Sequence, residues 1–169
     1  MRRRATDPVE LQLERARQLL GGSDSLNAVE AANQVVNVAL RLQPHHAGAW
    51  LLKCQVLSAH GDDLAALAAV EVAVRRAPRR AESHYWRGAI LADLARYPEA
   101  LTAIERAFAL VGASDAWLVE DLYYEKGLIY EHLGDRERAR QVFTDGVNAC
   151  PSSLILREAL EPILRANVR

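Results

Sequence analysis

Few residues in this chain of 169 could take part in catalysis. Its five histidines are scattered, and no zinc-protease, phosphate-loop or serine-nucleophile motif accompanies them. His84 and Asp93 lie nine positions apart on one predicted helix, which is too far for a catalytic dyad. Cys54 and Cys150 have no cysteine or histidine at ligand spacing. We therefore expect a protein that is not an enzyme and that has no metal site and no cofactor.

Two basic clusters could contact phosphate groups. Arginines flank Pro78 at positions 75–76 and 79–80, and three more stand at positions 2–4. No aromatic residue is interleaved with either cluster, and the net charge of the chain is −1. We therefore interpret both clusters as solvated surface and expect no nucleic-acid ligand.

The elements that must position any site are short helices in pairs. Residues 47–78 contain two apolar helical runs that are joined by Gly61-Asp62-Asp63 and closed by Pro78. Neither run can bury its own apolar face, so the pair requires copies of itself on either side.

Copies occur at offsets of 34 and 39 residues. At the first offset Gly88 aligns with Cys54, and at the second Gly127 aligns with Gly88. A period of this length with alternating helices is typical of a stacked helical solenoid. At other aligned positions the residues also match in size or in apolar character. These pairs are Ala100 with Ala66, Ile104 with Val70, Ala139 with Ala100, and Phe143 with Ile104.

This spacing resembles the tetratricopeptide repeat family over roughly residues 7–151. The fourth copy matches the family pattern best, through Tyr123, Gly127, Tyr130, Gly134, Ala139, Phe143 and Pro151. Cys54 and Gly112 depart from it, since a glycine and a proline are usual at those two positions, and the first copy is degenerate. The resemblance implies an all-α fold: an α-solenoid of about four helix-turn-helix repeats with a C-terminal capping helix.

The resemblance also implies where a ligand binds. In this family the first helices of the hairpins line a concave groove that holds a peptide or a helix of a partner. One subgroup clamps acidic peptides there with Lys, Arg and Asn, but Leu51, Leu52, Gln55, Glu82 and Trp86 stand at the matching positions here. The residues expected to face the groove are Leu51, Gln55, Ser58, Glu82, Tyr85, Ala89, Asp93, Asp121, Tyr124, Leu128 and Glu131.

The later part of this expected groove carries carboxylates and two tyrosines. Carboxylates beside aromatic rings suit a basic ligand through charge pairing and cation–π contact. One hypothesis is therefore a partner segment that presents Lys or Arg together with an apolar residue. The alternative is that these are ordinary solvated helix positions, and the sequence leaves both open.

Periodicity and capping signals predict the bounds of the elements. Asp7 and Pro8 open the first helix, and Gly21-Gly22 end it. Ser114 or Asp115 is expected to cap a lengthened helix that runs to residue 133. The other predicted helices span 27–42, 47–59, 63–76, 81–94, 98–110, 136–149 and 152–168, with a kink or break at Pro162. We expect residues 1–6 to be a disordered tail, 7–151 to be the repeat domain and 152–169 to be the capping helix.

Composition limits location and function. The N-terminal residues lack the apolar run of a signal peptide, and no apolar stretch is long enough to span a bilayer. Two cysteines without a disulfide framework suit a reducing cytoplasm, and an alanine-rich chain with arginine in place of lysine suggests a bacterial source. We predict a cytoplasmic, non-catalytic adaptor for a protein or peptide partner. The alternative is a homo-oligomerising structural module.

Overall fold

The computed structural model describes residues 7–22 and 25–166. The residues predicted to be a disordered tail, 1–6, lie outside the described part, as do 167–169 at the end of the predicted capping helix. The described residues form nine α-helices and a 3₁₀ turn, and no strand occurs among them. In chain order these are α1 (Pro8–Gly22), α2 (Leu26–Leu42), α3 (Ala47–Ala59), α4 (Asp63–Arg76), α5 (Ala81–Asp93), α6 (Tyr97–Phe108), the 3₁₀ turn (Ala113–Asp115), α7 (Leu118–His132), α8 (Arg136–Ala149) and α9 (Leu154–Ala166).

The chain separates into two compact units, Met1–Arg79 and Arg80–Arg169. We call them unit 1 and unit 2. Their boundary falls between the second and third predicted repeats, inside the stretch 7–151 that we expect to form one repeat domain. The extent of that domain stays a prediction.

Unit 1 contains the hairpins α1–α2 and α3–α4. Asp7 caps α1 as predicted, because its carboxylate accepts a hydrogen bond from the Val9 N–H at 2.9 Å. The core of the unit is built from small and branched apolar side chains, which pack closely. From α1, α2 and α3 it collects Val9, Leu13, Ala16, Val29, Ala32, Val36, Ala39, Leu52 and Val56.

Unit 2 contains the hairpins α5–α6 and α7–α8, followed by α9. Gly88 lies where α5 approaches α6, and a Cβ atom added to it would lie 2.6 Å from Cδ1 of Ile104. A larger residue at position 88 would therefore force the Ile104 side chain to shift. A further core cluster joins Ala139 and Phe143 of α8 to Leu156 and Ile163 of α9.

Three of the hairpins turn in the same way. The residue after the helix C-cap donates its N–H to the carbonyl three residues back, and the next residue donates to the carbonyl five back. This is the Schellman arrangement, which places one residue in the left-handed region. Gly61 (φ 81°) and Gly134 (φ 73°) hold that position in two hairpins, but Ala95 (φ 56°) holds it between α5 and α6.

The prediction of a helix capped by Ser114 or Asp115 is wrong. The Asp115 carboxylate accepts the Gly112 N–H at 3.4 Å, so these residues close a separate 3₁₀ turn. Helix α7 begins only at Leu118, which is fully buried, whereas Trp117 before it is 59% exposed. The inserted residues therefore bring one apolar side chain into the core and leave the other at the surface.

The C-terminal helix begins later than predicted. The Ser153 hydroxyl accepts the Leu156 N–H at 3.2 Å and so acts as an N-cap, which moves the start from Ser152 to Leu154. Pro162 lies inside α9, and the helix is not split there. The predicted bounds 47–59, 63–76 and 136–149 are confirmed, and the remaining bounds within the described residues differ by a few residues.

Candidate binding face

Helices α5 and α7 of unit 2 contact each other and bring several acidic side chains together. Tyr85 and Asp93 are two helical turns apart on α5, so they lie on the same side of that helix. Asp121 and Glu125 are one turn apart on α7. We call Tyr85, Asp93, Asp121 and Glu125 the acidic face.

The carboxylates of the acidic face influence one another. Partial burial raises the pKa of Glu125 to about 7, and the negative charges of Asp93 and Asp121 act in the same direction. Burial also raises the pKa of Asp121, with a second contribution from Glu120. The face is therefore a place where a positive charge would be stabilised.

Tyr85 provides the aromatic part of this face. Burial raises the pKa of its phenol, and the charges of Asp121, Glu125 and Asp93 add to that shift. Its ring also packs edge-on against Trp86, with 5.7 Å between centroids. The phenol therefore stays neutral, and the half-buried residue lies among carboxylates.

A cavity of about 290 Å³ adjoins the acidic face within unit 2. Tyr97 and His132 stack beside it, with ring centroids 5.5 Å apart and planes inclined by 8°. The remaining lining combines carboxylates with apolar side chains, namely Ala92, Asp93, Glu125, Leu128 and Ile129. Such a lining can accept a side chain that has an apolar stem and a charged end.

The groove residues predicted in unit 1 lie on α3. Leu51 is only 2% exposed, so its side chain presents almost no surface to a ligand. Gln55 and Ser58 are half-buried. Their assignment to a groove stays a prediction.

The groove residues predicted in unit 2 divide into three groups. Tyr85, Asp93 and Asp121 belong to the acidic face, and Leu128 lines the cavity. Glu82 instead pairs with Arg80 at 2.5 Å. The remaining three residues do not belong to the acidic face. Ala89 is half-buried on α5, and Glu131 is exposed. The Tyr124 ring packs towards Phe143, with 6.4 Å between ring centroids.

Sequence reasoning missed Glu125, Tyr97 and His132. Glu125 stands four residues after Asp121, and this helical spacing could have identified it. The predicted helix 98–110 leaves Tyr97 outside, but Tyr97 is the first residue of α6 and its ring stacks on His132. The spacing of residues within a single helix could not reveal this contact, because Tyr97 and His132 belong to two different hairpins.

In the part of the chain that the structure describes, no group of three or more His, Cys, Asp and Glu residues could hold a metal ion. Cys54 is fully buried, and burial raises the pKa of its thiol to about 12. Of the helices within 7–22 and 25–166, none has the length and apolar character needed to cross a membrane.

Comparisons with known proteins agree with this architecture. The tetratricopeptide repeat profile matches residues 120–153, which span α7 from its third residue, the following turn and α8. No curated protein matches the sequence.

Several solved structures share the fold. TTC0263, a tetratricopeptide repeat protein of Thermus thermophilus, superposes with a TM-score of 0.78 at 21% identity, over 94% of this chain and 82% of that one. MamA of Desulfovibrio magneticus RS-1 gives 0.75 at 19% identity, over 96% and 88%. PilF of Pseudomonas aeruginosa gives 0.78 at 17% identity, over 95% and 71%. The predicted fold class, an all-α solenoid of helix-turn-helix repeats, is thereby confirmed, and so is the resemblance of this chain to the tetratricopeptide repeat family.

Proposed function

We propose that this chain is a non-catalytic adaptor that binds a basic segment of a partner protein on the acidic face of unit 2. The observation that carries the proposal is the gathering of Asp93, Asp121 and Glu125 around Tyr85, beside a cavity that Leu128 helps to line. Repeat folds of this type serve as scaffolds for protein contacts, which supports a protein as the ligand.

The chemistry of the face supports a basic ligand in particular. Like charges held close together raise the free energy of the unbound state, and a Lys or Arg side chain between them would lower it. The Tyr85 ring adds a cation–π surface, and Leu128 offers an apolar contact for the neighbouring residue of the segment. We therefore expect a ligand motif in which one or two basic residues flank an apolar one.

A selection of random peptides displayed on phage and captured by the full chain tests this proposal. We expect the selected peptides to be rich in Lys and Arg and to bind more weakly as the salt concentration rises. The affinities of synthetic copies are then measured by fluorescence anisotropy.

Charge reversals locate the site. Asp93→Lys should weaken binding of the selected peptides about tenfold or more at low salt, and Glu131→Lys, near the C-terminal end of α7, should weaken it less. Glu14→Lys on α1 is the matched control, because Glu14 is an exposed carboxylate of unit 1. Selected peptides without basic residues, or equal affinity for Asp93→Lys and Glu14→Lys, would contradict the proposal.

A further inference from the structure

Helix α9 carries a stripe of exposed residues that its own unit does not cover. Its inner side is buried through Leu156 and Ile163, which are 0% and 7% exposed. On the outer side, Leu154 is 69% exposed and Leu164 is 46% exposed. Between these two leucines, Arg157 and Glu161 are exposed as well. We call Leu154, Arg157, Glu161 and Leu164 the α9 stripe.

The α9 stripe has the spacing of a helix–helix seam. Its members are separated by three, four and three residues, which is the alternation of a and d positions in a coiled coil. A shallow apolar groove of about 350 Å³ runs beside the stripe, walled by Val147 of α8 and Leu160. A second helix laid along this seam would therefore cover two leucines and fill the groove.

We propose that the α9 stripe binds the α9 stripe of a second copy of this chain, with the two helices antiparallel. This surface lies apart from the acidic face and has a different occupant. It would make the adaptor a dimer.

The order of residues in the stripe favours this occupant and this direction. When two copies of α9 run antiparallel about a two-fold axis opposite Ala159, Leu154 meets Leu164 of the other copy, and Arg157 meets Glu161. Of the four layers, two pair leucine with leucine and two pair the positive Arg157 with the negative Glu161. In the parallel arrangement Arg157 would face Arg157 and Glu161 would face Glu161, which is repulsive.

The two charged residues retain capacity for an additional contact. Arg157 donates from its guanidinium to the Pro151 carbonyl, and Glu161 pairs with Arg165 on the same helix. A guanidinium has five N–H donors, and a carboxylate accepts several hydrogen bonds. The Glu161 side chain is 58% exposed, so the approach of a second chain is open.

Only a modest affinity is expected from this contact. A helix of 13 residues is about 20 Å long and buries less than the ~1,600 Å² of a standard interface. Interfaces of this small size are typical of weak, transient contacts. Even a weak dimer would display two acidic faces, and a partner with two basic segments would then bind with avidity.

The test is sedimentation velocity of the full chain from about 10 µM to 1 mM, with charge reversals in the stripe. The wild type should shift towards a dimer with increasing concentration. Arg157→Glu brings the new carboxylate against Glu161 of the other copy, and Glu161→Arg brings the new guanidinium against Arg157 of the other copy. Because both charged layers then pair like charges while the leucine layers are unchanged, each variant alone should stay monomeric over the whole range.

A mixture of the two variants tests whether the substitutions act at the proposed contact between the two helices or prevent association in some other way. In that mixture residue 157 of each chain again meets an opposite charge at residue 161 of the other chain. A heterodimer should therefore form although neither variant associates alone. The double variant should likewise dimerise by itself. Exchanging the exposed pair Glu14 and Arg17 on α1 is the control and should leave the wild-type dimer unchanged.

Circular dichroism melting of each variant checks that the chain as a whole remains folded. A wild type that stays monomeric at about 1 mM would overturn the proposal. So would a dimer that persists in both single variants, or folded variants that fail to associate on mixing.

Discussion

Gly127 of α7 lies against the ring of Phe143 of α8 so closely that a Cβ atom on Gly127 would stand 2.3 Å from Cε1 of Phe143. The aligned pair in the preceding hairpin, Gly88 and Ile104, has the same relationship at 2.6 Å. Two successive hairpins of unit 2 thus bring their helices together in the same way, with a glycine on the first helix and a large apolar side chain on the second. This repetition explains why the sequence offsets are visible.

Gly127→Ala should destabilise the chain, although alanine favours helices elsewhere. The added methyl group overlaps the Phe143 ring, and neither helix can retreat without loosening the α7–α8 contact. We expect a loss of about 1–3 kcal/mol in the free energy of unfolding, and a larger loss for Gly127→Leu. Chemical denaturation measures both.

Two controls accompany the glycine substitutions. Gly21→Ala in α1 meets nothing within 4 Å and should be neutral or slightly stabilising. Gly127→Ala combined with Phe143→Leu should recover part of the loss, because the smaller side chain vacates the space of the ring. Equal stability of Gly127→Ala and the wild type would mean that α7 and α8 do not approach as described.

Ala95→Gly should stabilise the chain. Ala95 occupies the left-handed position of a Schellman turn at φ 56°, where the other two turns of this kind have glycine. An L-residue with a Cβ atom is strained there by about 1 kcal/mol. We expect a rise in melting temperature of a few degrees, and a fall for the converse substitution Gly134→Ala. A lower melting temperature for Ala95→Gly would contradict the strained turn.

The stability of the chain should depend on pH through Glu125. Its pKa is raised from 4.5 to about 7 on folding, so between these pH values the folded state retains a proton that the unfolded state releases. The free energy of unfolding should therefore fall as pH rises from 4.5 to about 7, by up to about 3 kcal/mol, and this contribution should level off above that range.

Glu125→Gln isolates that contribution, since glutamine cannot ionise. Urea denaturation at several pH values should show a smaller fall for Glu125→Gln than for the wild type. Parallel curves for the two proteins would show that Glu125 ionises normally. A basic peptide bound to the acidic face should also reduce the difference, because it stabilises the ionised carboxylate.

The two cysteines should differ in reactivity. Cys54 is fully buried with a thiol pKa of about 12, whereas Cys150 is partly exposed and its pKa is raised through weaker burial and Glu120. An aromatic disulfide reagent should therefore modify Cys150 first and Cys54 only in denaturant. Cys150→Ser should remove the fast phase alone, and rapid modification in that variant would show that Cys54 is accessible.

The hairpins of this fold were predictable because each follows a local pattern. The predicted bounds of α3, α4 and α8 agree with the structure at every residue. Gly61 and Gly134 mark the turns before α4 and α8, and Asp62 and Asp135 cap these two helices. The inserted residues before α7 were not predictable, because Asp115 could cap a helix or close a short turn equally well by sequence. The separation into two units also has no local signal.

The candidate site was predicted only in part. Asp93 and Asp121 belong to the groove set that the family resemblance implies, and both are members of the acidic face. Their assignment to a groove stays a prediction. The predicted groove positions on α7 are 121, 124, 128 and 131, and they omit residue 125, although it lies one turn after residue 121 on the same side of the helix. The Tyr97–His132 stack depends on how two hairpins pack, and burial decides the pKa of Glu125, so neither could be derived from one helix.

The most direct test of the adaptor function is nuclear magnetic resonance mapping of a selected basic peptide on the isotopically labelled chain. Our account predicts that amide signals of Tyr85, Asp93, Asp121, Glu125 and Leu128 shift together and saturate at one affinity. Signals of α9 should remain unchanged by the peptide at protein concentrations below those that favour dimers. Shifts confined to unit 1 or to α9, with the acidic face unaffected, would contradict the central claim.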